Sequence, residues 1–365
     1  MPGVAIRPVI FLAFSPHETL DGRLIEVPLR VNMTSRDENI ENSITATLDP
    51  IRVTVAIVTY RSKGEIVDCV NSVLGSDIPV RVVVIDNDSR DGTFELASEI
   101  SRQSSNVRVV SSGQNVGLAA GNNIVLPHVV GDYILMLNPD TIVESNTIST
   151  MVRILDGCAD IGIVGPTNVY GDGSKFSSYQ FAWNLWHVLL WRVFPYSLTR
   201  LLYDRLSKYR ERRVFYVSGS CLLIRRSLFV ELGGYDPIFF LTIEDVCDLC
   251  RRAQERGFGT LFTPKTQVIH FCSRSGSQVP TLTLLEGYKG SVHYFRKYNG
   301  VVGGASAFAL VTVGCLSKIA MSALKIAFRR SETSRQHLKV YWEIFPRLLR
   351  EGRYIAFGKR AKYFR

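Results

Sequence analysis

No G-x-G-x-x-G fingerprint follows the first β-like run of this 365-residue chain, and no G-x-x-x-x-G-K-[ST] loop occurs anywhere in it. The first absence argues against a dinucleotide-binding dehydrogenase and the second against a P-loop nucleotide hydrolase. Cysteine is sparse and odd in number, seven in all, which does not suit the paired framework of a secreted disulfide scaffold. Cys247-x-x-Cys250 could form a zinc set with His270 and Cys272, but zinc knuckles sit on turns, whereas this pair follows acidic residues and reads as helix. Packed, reduced thiols are expected. The N-terminal run VIFLAF after Arg7 is short for a signal peptide and lacks a clear cleavage site, so no secretion is expected.

Negative charge is in the minority, and the net charge is +10. From Phe328 onward there are 11 Lys and Arg against 3 Glu, so most of the excess lies in the C-terminal tail. A basic tail can meet nucleic acid, anionic lipid or an acidic partner. No nucleic-acid-binding motif accompanies it, and no nucleic-acid partner is expected. Ahead of it, Val301 to Ser317 contains no charged residue, a run shorter than the roughly 20 residues of a membrane span. Two readings stand: a helix lying on or dipping into an anionic cytoplasmic leaflet, or a buried helix of a C-terminal bundle with a solvated basic face. The segment Phe181 to Leu202, with three Trp among aliphatic residues, is likewise open between a membrane-interface or lid role and a core helix.

Between these regions, strand-length apolar runs alternate with helical patterns. Val53–Thr59, Val80–Asp86, Val107–Val110 and Tyr133–Leu137 read as strands. Helices are expected over Lys63–Leu74, Thr93–Arg102 and near Leu118–Val130. Fully apolar strands in such alternation predict a mostly parallel sheet covered on both faces. Residues 1–50 are expected to form a poorly ordered extension, 51–298 the catalytic domain, and 299–365 an apolar helix with a basic tail. In open parallel sheets, ligands sit beyond the carboxyl ends of strands. Polar residues fall at three such ends here: Thr59-Tyr60, Asp86 to Asp91, and Asn138-Pro139-Asp140. The resulting crevice is acidic and would repel a bare phosphate, but carboxylates can hold Mg²⁺ or Mn²⁺, which can in turn hold a diphosphate. Simple turn chemistry is the competing explanation for Asn138 to Asp140.

Six stretches in this order, VAIVTYRS, VVVIDNDSRDGT, NVGLAAGNN, YILMLNPDT, VSGSCLLIRRSLFVELGGYDPIFFLTIEDVCDLC and QVIHFCS, resemble the inverting family 2 glycosyltransferases of GT-A fold, especially bacterial rhamnosyltransferase-like members. The resemblance spans about Val53 to Tyr298. It implies a GT-A α/β fold with a C-terminal helical, membrane-associating region. Thr59 and Tyr60 would then border the nucleoside, Asp86 would contact base or ribose, and Asn115 and Gly117 would open the helix beside the nucleotide. Asn138-Pro139-Asp140 stands where relatives carry Asp-x-Asp, which implies Asp140 as a ligand of Mn²⁺ or Mg²⁺ and Asn138 as a neutral neighbour. His270 matches a histidine that completes the metal site in some relatives.

Asp245 is implied as the base and Glu244 as its partner or an acceptor contact. The chain departs from the family pattern at EDVCDLC, where Asp248 falls one residue later than usual, and no role is assigned to it. The implied reaction moves a sugar from a nucleotide-diphospho-sugar donor to a lipid-linked saccharide acceptor at the inner face of the cell membrane. Rhamnose from dTDP-rhamnose is the first choice, with a UDP- or GDP-sugar donor or a polyprenyl-phosphate acceptor as the alternative. A sugar-nucleotide-binding scaffold without turnover is the reading from another class, and the intact Asp140, Asp245 and His270 count against it.

Overall fold

The computed structural model describes residues 50–194, 198–199, 203, 209–272, 280–329 and 332–358. The extension expected before residue 50, part of the Trp-containing segment and the basic residues after Gly358 lie outside the described residues. The first half alternates as expected: β1 Val53–Thr59, α1 Ile66–Leu74, β2 Val80–Asp86, α2 Thr93–Gln103, β3 Val107–Ser111, α3 Leu118–Asn123 and β4 Tyr133–Leu137. β1 is flanked by β2 and β4, all parallel, and β3 extends the sheet beyond β2. Every residue of β1 and β4 is buried, because helices cover both sides of the sheet. Side chains alternate between the faces with period two. Val53, Val55 and Ile57 pack with Ile66, Cys69 and Val70 of α1, while Ala56 and Val58 join the core on the other side.

The helix expected near Leu118–Val130 is shorter than its pattern suggested. α3 stops at Asn123, and a 3-10 turn covers Leu126–His128. Pro127 explains the stop, since a proline in a continuing helix would press its ring on the carbonyl of Asn123.

After β4 the sheet becomes mixed. The next elements are β5 Thr141–Val143, α4 Thr147–Gly157, β6 Ile161–Val169, β7 Lys175–Phe176, β8 Arg212–Val214, β9 Cys221–Arg225, α5 Arg226–Glu231, α6 Glu244–Glu255 and β10 Gly259–His270. The main path is β3-β2-β1-β4-β9-β6-β10-β5. β9 runs antiparallel between β4 and β6, and β10 pairs parallel with β6 and antiparallel with β5. The last of these pairings sets His270 opposite Thr141, next to Asp140.

α7 Pro280–Arg329 and α8 Glu332–Phe357 complete the fold. α7 is two helices joined at Gly300, whose φ of 66° and ψ of −156° leave the helical region for one that only glycine adopts readily. The first arm runs parallel to α8: Thr281 lies by Glu343, Lys289 by Glu351 and Arg296 by the Gly358 carbonyl. The second arm runs antiparallel to α8: a side chain at Gly304 would meet the Ala356 backbone, one at Gly352 would meet the Phe308 ring, and Cys315 lies by the Tyr341 carbonyl. The result is a three-helix bundle.

Along the second arm, Val302, Ala309, Val313, Leu316, Ala320, Leu324 and Phe328 are exposed, with Phe328 84% accessible. Arg335, Lys339, Arg347, Arg350 and Arg353 are exposed on α8. The helix thus belongs to a bundle, as the second reading has it, but keeps an apolar outer face. The boundary expected at residue 298 falls beside the Gly300 break, within helices that pack continuously against the catalytic body.

Asp248, unassigned from sequence, joins the two. Fully buried on α6, it accepts from Arg252 at 2.7 Å, Lys297 at 2.5 Å and Tyr298 at 2.6 Å, and Lys297 also pairs with Asp236 at 2.7 Å. It is a clamp between α6 and the first arm of α7.

Candidate active site

A pocket of about 190 Å³ opens at the carboxyl ends of β1, β4 and β10. Tyr60, Asn115, Gly117, Asn138, Asp140 and His270, all expected in the site from sequence, line it. Asn138, Pro139 and Asp140 follow β4 directly, so the end of a buried strand delivers a carboxylate to the pocket wall. Asp140 is 6% exposed, and its Oδ1 lies 3.2 Å from His270 Nε2. Burial alone would lower the His270 pKa, but the Asp140 carboxylate outweighs it and raises the imidazole to about 9. Among the described residues no Lys or Arg lines the pocket, and the His270 imidazole, held protonated by Asp140, is the cationic side chain they offer there. A carboxylate beside an imidazole, in a wall otherwise short of charge, is a donor set that fits a divalent cation whose remaining positions are filled by oxygen ligands. Among the described residues no group of three or more His, Cys, Asp or Glu gathers for a metal. Cys247 and Cys250 are free, buried thiols on α6.

Two expected donor contacts lie behind the wall. Thr59 is fully buried and donates to Asp86 Oδ1 at 3.2 Å, while Asp86 Oδ2 accepts from the Ser89 amide at 3.1 Å. The adjacent Asn87, missed from sequence, lines the pocket instead. Its amide nitrogen donates to Asn115 Oδ1 and the Gly117 carbonyl, and its Oδ1 accepts from Ser112 and the Val116 amide. Asn87 therefore shapes the loop that enters α3.

Gly117 has φ of +85°, and a Cβ there would stand 2.5 Å from the Phe240 carbonyl oxygen. Gly117→Ala is expected to cost roughly 1–3 kcal/mol in chemical unfolding and to push Phe240 out of the wall. Unchanged stability would show that the loop carrying Phe240 yields freely.

Glu244 and Asp245 do not line the pocket. Phe240 and Leu241, just before them, do, and Leu282 and Thr283 from the first turn of α7 close the same wall. Glu244 is fully buried; its Oε1 accepts from Ser291 at 2.6 Å and lies 3.5 Å from Arg192 Nη2. Arg192 belongs to the π turn Leu189–Val193 in the Trp-containing segment and also donates to the Gly287 carbonyl. That segment divides in its exposure, with Trp183 packed inward and Trp186 61% exposed. Asp245 is 2% exposed, and its Oδ2 has no hydrogen-bond partner. Burial, with Glu244 and Asp248 nearby, raises its pKa well above the usual carboxylate range. A buried carboxylate with an unpartnered oxygen is a common mark of a functional group.

A half-parallel sheet whose strand ends carry an acidic turn, an asparagine-bound loop and an imidazole from β10 defines the GT-A class of nucleotide-sugar transferases. The chain belongs to glycosyltransferase family 2. The model of that family, glycosyl transferase family 2, matches residues 54–233. The chain is 30% identical over 233 residues to the N-acetylglucosaminyl-diphospho-decaprenol L-rhamnosyltransferase of Mycobacterium tuberculosis, across 59% of this chain and 74% of that protein. It is 25% identical over 228 residues to the rhamnosyltransferase WbbL of Escherichia coli, across 60% and 83% of the two chains. A mannosyltransferase of Pyrobaculum calidifontis, solved with GDP-Man and Mn²⁺, shares the fold with a TM-score of 0.50 at 15% identity, covering 88% of this chain and 94% of its own.

Proposed function

We propose that this glycosyltransferase moves rhamnose from dTDP-rhamnose, with inversion, onto a lipid-linked saccharide during cell-envelope polysaccharide synthesis. The observation that carries the reading is the Asp140–His270 pair on the pocket wall, a carboxylate and an imidazole suited to a divalent cation that brings in a donor diphosphate. Bound there, Mn²⁺ or Mg²⁺ would supply the positive charge against which a diphosphate departs. The two rhamnosyltransferases among the relatives support the sugar. Phe240, Leu241 and Leu282 add an apolar wall suited to the methyl group of a 6-deoxy sugar.

The chain's own residues do the rest. Tyr60, Asn87 and Asn115 orient the nucleoside side of the donor. Asp245 takes the proton of the incoming acceptor hydroxyl once the wall of Phe240 and Leu241 has moved aside. Such a movement is motivated by size, since about 190 Å³ is less than the roughly 300–1,000 Å³ of ordinary ligand pockets. The exposed apolar face of α7 and the cations of α8 suit the anionic inner surface of the cell membrane, where a lipid-borne acceptor would be met.

Thermal unfolding with dTDP-, UDP- and GDP-sugars, each with and without Mn²⁺ or Mg²⁺, tests the reading. dTDP-rhamnose with metal is expected to stabilise the protein by about 2.7 kcal/mol at a hundredfold excess over Kd, and far less without metal. A metal-dependent response to another nucleotide would reassign the donor. Silence toward all of them would overturn the reading, and a sugar-nucleotide-binding scaffold with it.

A further inference from the structure

A second cavity, of about 390 Å³, lies between the first arm of α7 and α8. Lys289, His293, Arg350, Glu351, Tyr354 and Ile355 line it. Lys289 lies 2.8 Å from Glu286 and 3.1 Å from Glu351. Glu351 is also approached by Arg347 at 3.4 Å and Arg350 at 3.7 Å. Three cations thus face two carboxylates, and Arg350, 77% exposed and only loosely paired, can turn toward an anion at the mouth. His293 is held neutral, its pKa pushed down to about 4 by burial and by Lys289, so the wall also offers an uncharged imidazole.

The position of this cavity is informative. Leu282 and Thr283 line the donor pocket, and Lys289 and His293 line the second cavity. Leu282, Lys289 and His293 are spaced by seven and four residues, which places them on one face of the helix. At 1.5 Å per residue, Lys289 stands about 10 Å and His293 about 16 Å along the axis from Leu282. The same bundle carries the exposed apolar face of the second arm.

We propose that this cavity binds the phosphate ester of a lipid, with Lys289 and Arg350 supplying charge and His293 and Tyr354 polar contacts. A lipid-borne phosphate seated there would lie along one helix face, its attached sugar directed toward Asp140 and its chain toward the apolar arm. This deepens the function proposed above by locating the polar head of its acceptor, and it depends on that reading only for the origin of the ligand. An anionic phospholipid head presents the same chemistry.

The test uses the full chain, with farnesyl diphosphate and farnesol titrated by calorimetry, and flotation with vesicles of phosphatidylcholine alone or mixed with phosphatidylglycerol. Farnesyl diphosphate is expected to bind at least tenfold more tightly than farnesol. Arg350→Ala and Lys289→Gln should each weaken it about tenfold, leaving farnesol unchanged. Arg350 is on the surface, so its variant keeps the test valid if Lys289→Gln fails to fold. If farnesyl diphosphate does not bind but phosphatidylglycerol-dependent flotation falls tenfold in Arg350→Ala, the phosphate site stands and its ligand is the bilayer. Binding of both phosphate ligands that is indifferent to the two substitutions, or binding of neither by the unaltered protein, overturns the proposal. The nucleotide-sugar response of the unaltered protein reads the donor site separately, so failure of the proposed function is distinguishable from failure of this one.

Discussion

Replacing Asp140 with alanine is expected to abolish the metal-dependent stabilisation by nucleotide-sugar and to lower turnover by about a thousandfold, the effect of losing several kcal/mol of charge stabilisation at a departing diphosphate. Among the described residues the carboxylate is the only acidic side chain on the pocket wall, and its loss leaves His270 with Cys272 as its side-chain partner. The fold should survive. Burial, which lowers the His270 pKa, is then opposed only by Cys272, so the imidazole is held in its protonated form less strongly than in the intact pair. Donor titrations and steady-state rates with and without EDTA measure both effects. An Asp140→Ala protein that still responds to nucleotide-sugar only when metal is added would place the cation elsewhere.

Asp245→Asn is expected to lower kcat by about 10²–10⁴-fold, the range for loss of a general base, and at the same time to raise stability. The second effect follows from its surroundings. With the folded-state pKa above that of the unfolded chain, the native state holds more protons, and stability falls as pH rises from about 4 toward the raised value. Asparagine has no charge to desolvate, so it should remove that slope and make the variant more resistant to heat near neutral pH. Donor binding should persist, because Asp245 is not on the pocket wall. Retained turnover would remove Asp245 as the base. Lower stability with lost turnover would make it a structural residue.

Much of the catalytic half was legible in the sequence because its strands are buried on both faces and read as unbroken β-branched runs. Asn138-Pro139-Asp140 was legible for the same reason: a polar turn after such a run must emerge at a strand end. Asn87 was hidden by its neighbour, since in DNDS the carboxylate draws attention, yet Asp86 is consumed by Thr59 and Ser89 while Asn87 faces the pocket. Leu282 and Thr283 carried no signal, because apolar and hydroxyl side chains at a helix start have no chemistry of their own and reach the site only through tertiary packing. The burial of Glu244 and Asp245 was equally invisible. For Glu244 it depends on Arg192 and Ser291, which come from segments far away in the chain.

The reversal at Gly300 has a consequence for topology. Unbroken, α7 would be a rod about 75 Å long, more than twice the hydrocarbon thickness of a bilayer. By length and composition, Thr281–Phe328 passes as a single crossing. Because the chain doubles back, the apolar arm begins and continues against the same protein surface, and neither the catalytic body before it nor α8 after it has to reach the far leaflet. On the membrane placement proposed above, orientation against a bilayer would be governed by one glycine's pair of backbone angles, and not by the bias of charged loops that ordinarily orients a spanning helix.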